Sequence, residues 1–468
     1  MNGRYDGGRQ RPGVVAGIEP LASSEEMFGL LREDSGRDGN GQAEAFFAAP
    51  ALRAPACDAA PLTAHKLRIF DAIRVFERRG ATTVLLPCFA SHTFIDELRA
   101  NTRLPIVDMV EAVRAHVREF FPGVRRIGVL VSETVRASGL FERYFSMPEF
   151  EVIHARCEEG AGRATRALAC ARLVEQGAQV IVPGVRALSA VDRVDGRDES
   201  RALSVPLIDV PLVYAQYALS GRCEPALPAF KVGVLGGVGP AATVDFLQKI
   251  VRNTQAQRDQ DHIKLLVEQN PQIPDRTENL IGHGADPTVS LYATCKRLEE
   301  GGADVIAIPC NTAHAFVERI QPYLAIPIVN MLSVTVRYLR ETFPSLREVG
   351  VLATSGTIES GVYGKALERE GLRQIVPEPA LQARVMAAIY GVQGVKAGHT
   401  TGPCQDDVAA ALEGLIEAGV EAVILGCTEL PLLLPQETFV GRRARVRLID
   451  PTDVLARQCV ARATGARG

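Results

Sequence analysis

The chain has 468 residues, 47% of them apolar and 23% charged, with a formal net charge of −3. That balance describes a globular protein of roughly two to four domains, and it lacks the basic stripe expected of a nucleic-acid binder. No run approaches the roughly 18 apolar residues a membrane span needs. The ten cysteines have no CxxC spacing, which suits reduced cytoplasmic thiols better than a disulfide scaffold.

Residues 1–12 are Gly- and Arg-rich without the apolar core of a secretory signal, and are expected to form a flexible tail. A first unit is expected over 13–220, with a loose polar loop at 32–45. A linker follows at 221–230, where Gly and two prolines interrupt the periodic pattern, and then a second unit over 231–468. In the second unit, short apolar runs at 232–235, 305–308, 349–352 and 422–425 predict buried strands. The stretches 241–252 and 406–418 carry apolar residues at helical spacing. Strands alternating with helices imply an α/β fold with parallel sheets covered on both faces. The basic run Arg442, Arg443, Arg445 and Arg447 reads as solvated surface.

The two units repeat one another. Gly302-Ala-Asp-Val-Ile-Ala-Ile-Pro-Cys310-Asn-Thr-Ala-His314 answers Gly80-Ala-Thr-Thr-Val-Leu-Leu-Pro-Cys88-Phe-Ala-Ser-His92 at an offset of 222 residues. Leu104-Pro-Ile-Val-Asp-Met109 and Ile127-Gly-Val-Leu130 recur in the same register, as Ile326-Pro-Ile-Val-Asn-Met331 and Val349-Gly-Val-Leu352. Three blocks in one register indicate a tandem duplication. Within the second unit the segment around Cys310 also resembles Gly419-Val-Glu-Ala-Val-Ile-Leu-Gly-Cys427-Thr-Glu429. Each unit is therefore expected to hold two parallel-sheet lobes with the active site between them.

In an open α/β sheet the ligand crevice lies beyond the carboxyl ends of the strands, where Cys310 and Cys427 both stand. A helix N-terminus after each would favour a carboxylate and a thiolate. One base on each face of a substrate carbon is the minimum apparatus for racemisation without a cofactor. One thiolate takes the α-proton and the opposite thiol returns a proton. The resulting enolate needs electrostatic stabilisation, which backbone N–H groups, Asn311, Thr312 and Thr428 can supply in part.

Five ordered blocks carry a resemblance. They are Gly236-Gly-Val-Gly-Pro240, Asn270-Pro-Gln-Ile-Pro-Asp-Arg276-Thr277, Pro309-Cys-Asn-Thr-Ala-His314, Ala353-Thr-Ser-Gly-Thr357-Ile-Glu-Ser-Gly-Val-Tyr363 and Gly426-Cys-Thr-Glu-Leu430. Together they make the second unit resemble the aspartate/glutamate racemase family, and within it the PLP-independent aspartate racemases. The resemblance implies that Cys310 and Cys427 are the two bases and that no cofactor or metal is used. It implies that Arg276 and Lys365 bind substrate carboxylates, with Thr357 and Glu429 also at the substrate. It further implies an internal pseudo-dimer, with room for a homodimer, since single-unit members pair.

The first unit departs from the pattern. Val185 stands where Cys427 does in the second unit, Arg186 and Ala187 replace Thr428 and Glu429, and Phe89 and Ala90 replace Asn311 and Thr312. The Pro-Asp-Arg block has no clear counterpart beyond Arg53. This unit is expected to be degenerate and non-catalytic, with a structural or dimer-mimicking role. Ligand binding at Cys88 and His92, or a one-cysteine activity as in related decarboxylases, are the other readings.

Other readings apply to the second unit. Gly237-x-Gly239-x-x-Ala242 with Glu268 matches a dinucleotide fingerprint, but Pro240 inside the turn and the late acidic residue favour a tight turn shaping the cleft. His314 lies four residues from Cys310, without two further ligands at metal-site spacing. The remaining cysteines, at 57, 157, 170, 223, 295, 404 and 459, are expected to be structural. Isomerisation of another carboxylate (maleate or hydantoin type), a silent amino-acid-binding regulator and a thiol redox pair stand as alternatives.

Overall fold

The computed structural model describes residues 11–15, 17, 20–35, 61–157, 162–184, 203–223, 229–282 and 284–465. Two compact units divide between Pro228 and Ala229. Arg53, Cys57 and the segment 185–188 lie outside the described residues.

In the first unit, β1 (Pro12–Val14) pairs in parallel with β2 (Thr83–Leu85), and Ile106 bridges to Val84. A second sheet places β3 (Arg126–Val131) between β4 (Glu151–Arg156) and β5 (Val180–Pro183), all parallel. The sheet begins at Pro12, inside the expected tail. Arg32 to Ser35 close the helix Ser24–Ser35 instead of opening a loop. Met27, Phe28 and Leu31 on that helix are buried in the core, and this packing outweighs the polar composition beyond it.

The second unit has two sheets of the same winding. Its first lobe holds β6 (Lys231–Gly236), β7 (Lys264–Gln269), β8 (Val305–Ala307) and β9 (Ile328–Val329), in the order β7-β6-β8-β9 and parallel throughout. The second lobe holds β10 (Glu348–Leu352), β11 (Arg373–Ile375), β12 (Ala422–Leu425), β13 (Thr438–Val440) and β14 (Arg445–Ile449), in the order β11-β10-β12-β14-β13. The first-formed strand of each lobe lies between the second and the third. The chain thus reverses its winding beside β6–β8 and beside β10–β12, where a crevice opens.

One strand departs from the parallel arrangement expected of the sheets. β13 runs antiparallel to β14 because a tight turn closed by Gly441 N–H to Ala444 C=O joins them, too short for a parallel crossover. Arg442, Arg443, Arg445 and Arg447 are exposed on this hairpin.

The helix Pro240–Asn253 buries Ala242, Thr243, Phe246, Lys249 and Ile250, a stripe at helical spacing. The last helix, Pro451–Gly465, leaves the second lobe and packs Val454, Leu455 and Cys459 beside Val232 and Phe246 of the first. A buried ion pair fixes this return. Lys249 Nζ bonds Asp245 and lies 2.6 Å from Asp450. The other Asp450 oxygen accepts from the Thr452 and Asp453 N–H groups at the start of the last helix. Asp450→Ala removes both the helix cap and one counter-charge of Lys249. The expected loss is roughly 3 kcal/mol, read as a lowered chemical-denaturation midpoint.

Candidate active site

A small cavity lies where the two lobes of the second unit meet. Val238, Arg276, Thr277, Cys310, Asn311 and Thr312 line it from the first lobe, and Thr354, Tyr390, Lys396, Cys427, Thr428 and Glu429 from the second. Both cysteines therefore reach one cavity from opposite sides, each in the turn after a central strand. The nine described cysteines are free thiols.

The first-lobe wall is built on close backbone approaches. Gly237 has φ +86°, and a Cβ there would stand 2.5 Å from the Asn270 carbonyl carbon. The turn after β6 is thus pressed onto the Asn270 loop that leads to Arg276, and Glu268 is paired with Arg297. This is the tight turn expected of the glycines, without the open cradle a pyrophosphate needs. Gly239, with φ +115°, would put a Cβ 2.6 Å from Glu429 Oε1, so glycine there lets the carboxylate of the opposite lobe enter.

Arg276 opens the helix Arg276–Ile281, whose N-cap Asp275 accepts from the Thr277 and Glu278 N–H groups. Its Nη1 donates to the Ile273 and Pro274 carbonyls at 3.3 and 3.2 Å. Burial works against the guanidinium charge, but the Cys310 sulfur beside it, with Asp275, outweighs burial and raises its pKa. Arg276 Nε and Asn311 Nδ2 are buried donors with no hydrogen-bond partner among the described residues. Unsatisfied buried donors are costly, and both lie in side chains that line the cavity.

On the second lobe, Cys427 donates to Glu429 Oε2 at 3.1 Å, and Lys396 Nζ lies 2.6 Å from Glu429 Oε1. Thr428 Oγ1 donates to Glu429 Oε2 at 3.3 Å. Burial would push the Glu429 carboxyl up, but Lys396 and these hydrogen bonds outweigh it and hold its pKa below the ordinary value. Burial pushes the Cys427 thiol well up, and the Glu429 carboxylate pushes it further. The expectation of a favoured thiolate is thus corrected at Cys427. The helix after it, Leu430–Leu433, has four residues, too few aligned peptide dipoles to offset burial and a neighbouring negative charge.

Four hydroxyls join the lobes at the cavity wall. Thr312 Oγ1 lies 3.2 Å from Thr354 Oγ1 and 2.7 Å from Thr357 Oγ1, and Thr277 Oγ1 donates to Thr354 Oγ1 at 3.1 Å. Thr357 is therefore behind Thr312 and does not line the cavity. His314 Nδ1 donates to the Cys310 carbonyl at 2.8 Å, and its Nε2 accepts from Met331 N–H at 3.0 Å. Burial draws its pKa down to about 4. With both ring nitrogens bound to backbone, His314 is a neutral brace for the Cys310 turn.

Lys365 does not line the cavity. It is exposed on the helix Val362–Arg369. Lys396 is the lysine at the cleft, held in a short 3-10 turn, Val395–Ala397. The signal for it was a lone lysine among the glycines of Gly391-Val-Gln-Gly-Val-Lys-Ala-Gly398. Tyr390, Thr277 and Thr354 were also missed.

A sequence profile described as Asp/Glu/Hydantoin racemase matches residues 15–218 and again residues 235–459. The chain belongs to this racemase family. Its two matched regions are consistent with the tandem duplication. Among its relatives, the broad specificity amino-acid racemase RacX of Bacillus subtilis (strain 168) is 29% identical over 235 residues. That match spans 49% of this chain and 96% of the relative. A glutamate racemase of Geobacter metallireducens is 34% identical over 156 residues, 33% of this chain and 54% of the relative. The solved aspartate racemase of Picrophilus torridus is 28% identical, with a TM-score of 0.43, over 50% of this chain and 94% of its own.

The first racemase-family unit carries mostly apolar side chains at the corresponding positions, although Ser132, the counterpart of Thr354, keeps a buried hydroxyl. Subtracting 222 from Cys310, Asn311, Thr312 and Thr357 gives Cys88, Phe89, Ala90 and Val135. All four belong to one core cluster that also holds residues of both sheets, Leu85 and Val129 among them. In the second unit Cys310 and Cys427 lie in separate clusters.

The two lysines give a direct comparison. Lys396→Met leaves Glu429 buried without its counter-charge, at a cost of roughly 2 kcal/mol after allowance for a quarter-exposed lysine. Lys365→Met is expected to leave the melting temperature unchanged. Glu429 has a depressed folded-state pKa, so its contribution is present above the unfolded carboxyl pKa and lost as pH falls through the folded value. The deficit of the Lys396 variant in calorimetric scans should therefore shrink over that acid range.

Proposed function

We propose that the second unit racemises a small amino acid, aspartate first among candidates, by a two-cysteine, two-base mechanism without a cofactor. The observation that carries this reading is the convergence of Cys310 and Cys427 on one cavity from opposite lobes. Arg276 Nε and Asn311 Nδ2 are buried and unpartnered there. The two donors suit a substrate carboxylate, which an arginine can hold in a fixed orientation.

The two thiols are not equivalent at rest. Cys310 lies beside the Arg276 guanidinium, and Cys427 gives its hydrogen bond to Glu429. Cys310 is then the base that removes the α-proton, and Cys427 holds the proton delivered to the opposite face. After one turnover the proton inventory is reversed, and the opposite enantiomer is processed by the mirror sequence. Charge that develops on the carboxylate as the α-proton leaves is met by Arg276 and Asn311, donors already in place. Lys396, paired with Glu429 at the cavity, places an ammonium donor where an acidic side chain could reach it. The described specificities of the relatives, which include glutamate and a broad amino-acid range, make a substrate panel part of the test. The first unit, with Phe89, Ala90 and Val135 in place of Asn311, Thr312 and Thr357, takes the non-catalytic role.

Incubation with L- and D-aspartate in D2O, followed by proton NMR and chiral chromatography, is expected to show α-proton exchange with appearance of the other enantiomer. Cys310→Ser and Cys427→Ser should each lower racemisation by roughly 10²–10⁴-fold, the scale of a lost acid or base. Cys88→Ser should leave it unchanged. Racemisation persisting at the wild-type rate in either single variant rules out the two-base cycle. An absence of exchange with any amino acid of the panel favours the binding role instead.

A further inference from the structure

The two ends of the Asn311 amide are in different states. Its Oδ1 accepts from the Tyr363 hydroxyl at 2.6 Å. Its Nδ2, on a residue 1% exposed, has no partner among the described residues. An amide presents a carbonyl or an NH2 according to how it is turned, and a hydroxyl that donates to its oxygen favours the orientation that leaves the NH2 at the other end. Bonded to Tyr363, Asn311 offers N–H donors to the cavity. Turned over, it would offer a carbonyl oxygen, which repels a carboxylate and more so an enediolate.

Tyr363 is well placed to hold that choice. It stands in the first turn of Val362–Arg369, on the second lobe, and is 1% exposed. Its ring packs with Ala353, Leu367 and Ile424, so its hydroxyl is a fixed point and the bond to Asn311 crosses between the lobes. Tyr363 itself does not line the cavity.

The duplication supplies an independent observation. The residues 222 positions earlier are Phe89 and Phe141. They touch one another edge to face, with ring centroids 4.9 Å apart and planes at 64°. A hydrogen-bonded Asn–Tyr pair in one unit is thus an aromatic pair in the other. Both partners differ together, as expected if neither polar group is useful without its mate.

We propose that Tyr363 is a positioning residue for the reaction: through Asn311 Oδ1 it aims Asn311 Nδ2 at the substrate carboxylate, where negative charge grows as the α-proton leaves. This rests on the racemase reading above.

The test is a double-mutant cycle of Tyr363→Phe and Asn311→Ala in the full chain, read by steady-state racemisation and melting temperature. Tyr363→Phe keeps the ring and its packing. It is expected to melt close to wild type while kcat falls roughly 10-fold or more and KM changes less. Asn311→Ala should lower kcat by roughly 100-fold, the scale of a lost oxyanion donor. The double variant should be no slower than Asn311→Ala alone, because the tyrosine acts only through the amide. Losses that multiply in the double variant, or a Tyr363→Phe protein as fast as an active wild type, overturn the inference and leave the racemase reading standing. A wild type inactive on the whole substrate panel overturns both.

Discussion

Parallel sheets with buried faces impose the constraint on which the rest of this molecule depends. A strand such as β8 or β12 has no solvated side, so a reactive group cannot sit along it without losing its hydration. Polar chemistry is confined to the turns that follow the strands. In the second unit Gly237, Cys310, Thr354 and Cys427 occupy the turns after β6, β8, β10 and β12, the two central strands of each lobe. Two lobes with the same winding present these turns to one another. The helix Pro451–Gly465, anchored by the Lys249–Asp450 pair, returns to the first lobe and ties the two together.

The cavity so formed is electrostatically uneven, and the unevenness comes from particular neighbours. Arg276 faces Cys310, whereas Glu429 accepts the hydrogen bond of Cys427. Lys396 then offsets the Glu429 charge, which burial alone would not permit. A site with the same residue types on each side would start with the same proton affinity at both sulfurs. Here burial and the Glu429 carboxylate raise the proton affinity of the Cys427 sulfur. Such pairs with diverging environments are how a single fold assigns acid and base roles.

Much of this was legible in the chain. The duplication, the α/β class and the strands around Cys310 and Cys427 follow from apolar runs punctuated by glycine, and the structure places both cysteines at one cavity. What sequence could not supply was set by long-range contacts. Lys365 lies near a strong motif but faces solvent, whereas Lys396, in a short turn between helices, is drawn in by Glu429 more than thirty residues away. A helix dipole would favour a thiolate at Cys427, but the following helix is one turn long, and burial together with Glu429 outweighs it. The end of the helix Ser24–Ser35 was hidden because its polar composition said nothing of the core under Met27 and Leu31. β13 turned antiparallel because of a short hairpin that no periodicity announces.

Phe89 and Phe141, where the second unit has Asn311 and Tyr363, form a pair whose members depend on each other. Restoring the amide alone in the first unit would bury an NH2 and a carbonyl against a phenyl ring. Restoring the hydroxyl alone would bury a lone O–H, and either step costs about 1–3 kcal/mol. The neighbouring Ala90 and Val135 are apolar as well, while Ser132 keeps a buried hydroxyl. In the first unit the two positions are therefore coupled: one polar substitution alone is expected to cost more stability than the matched pair made together.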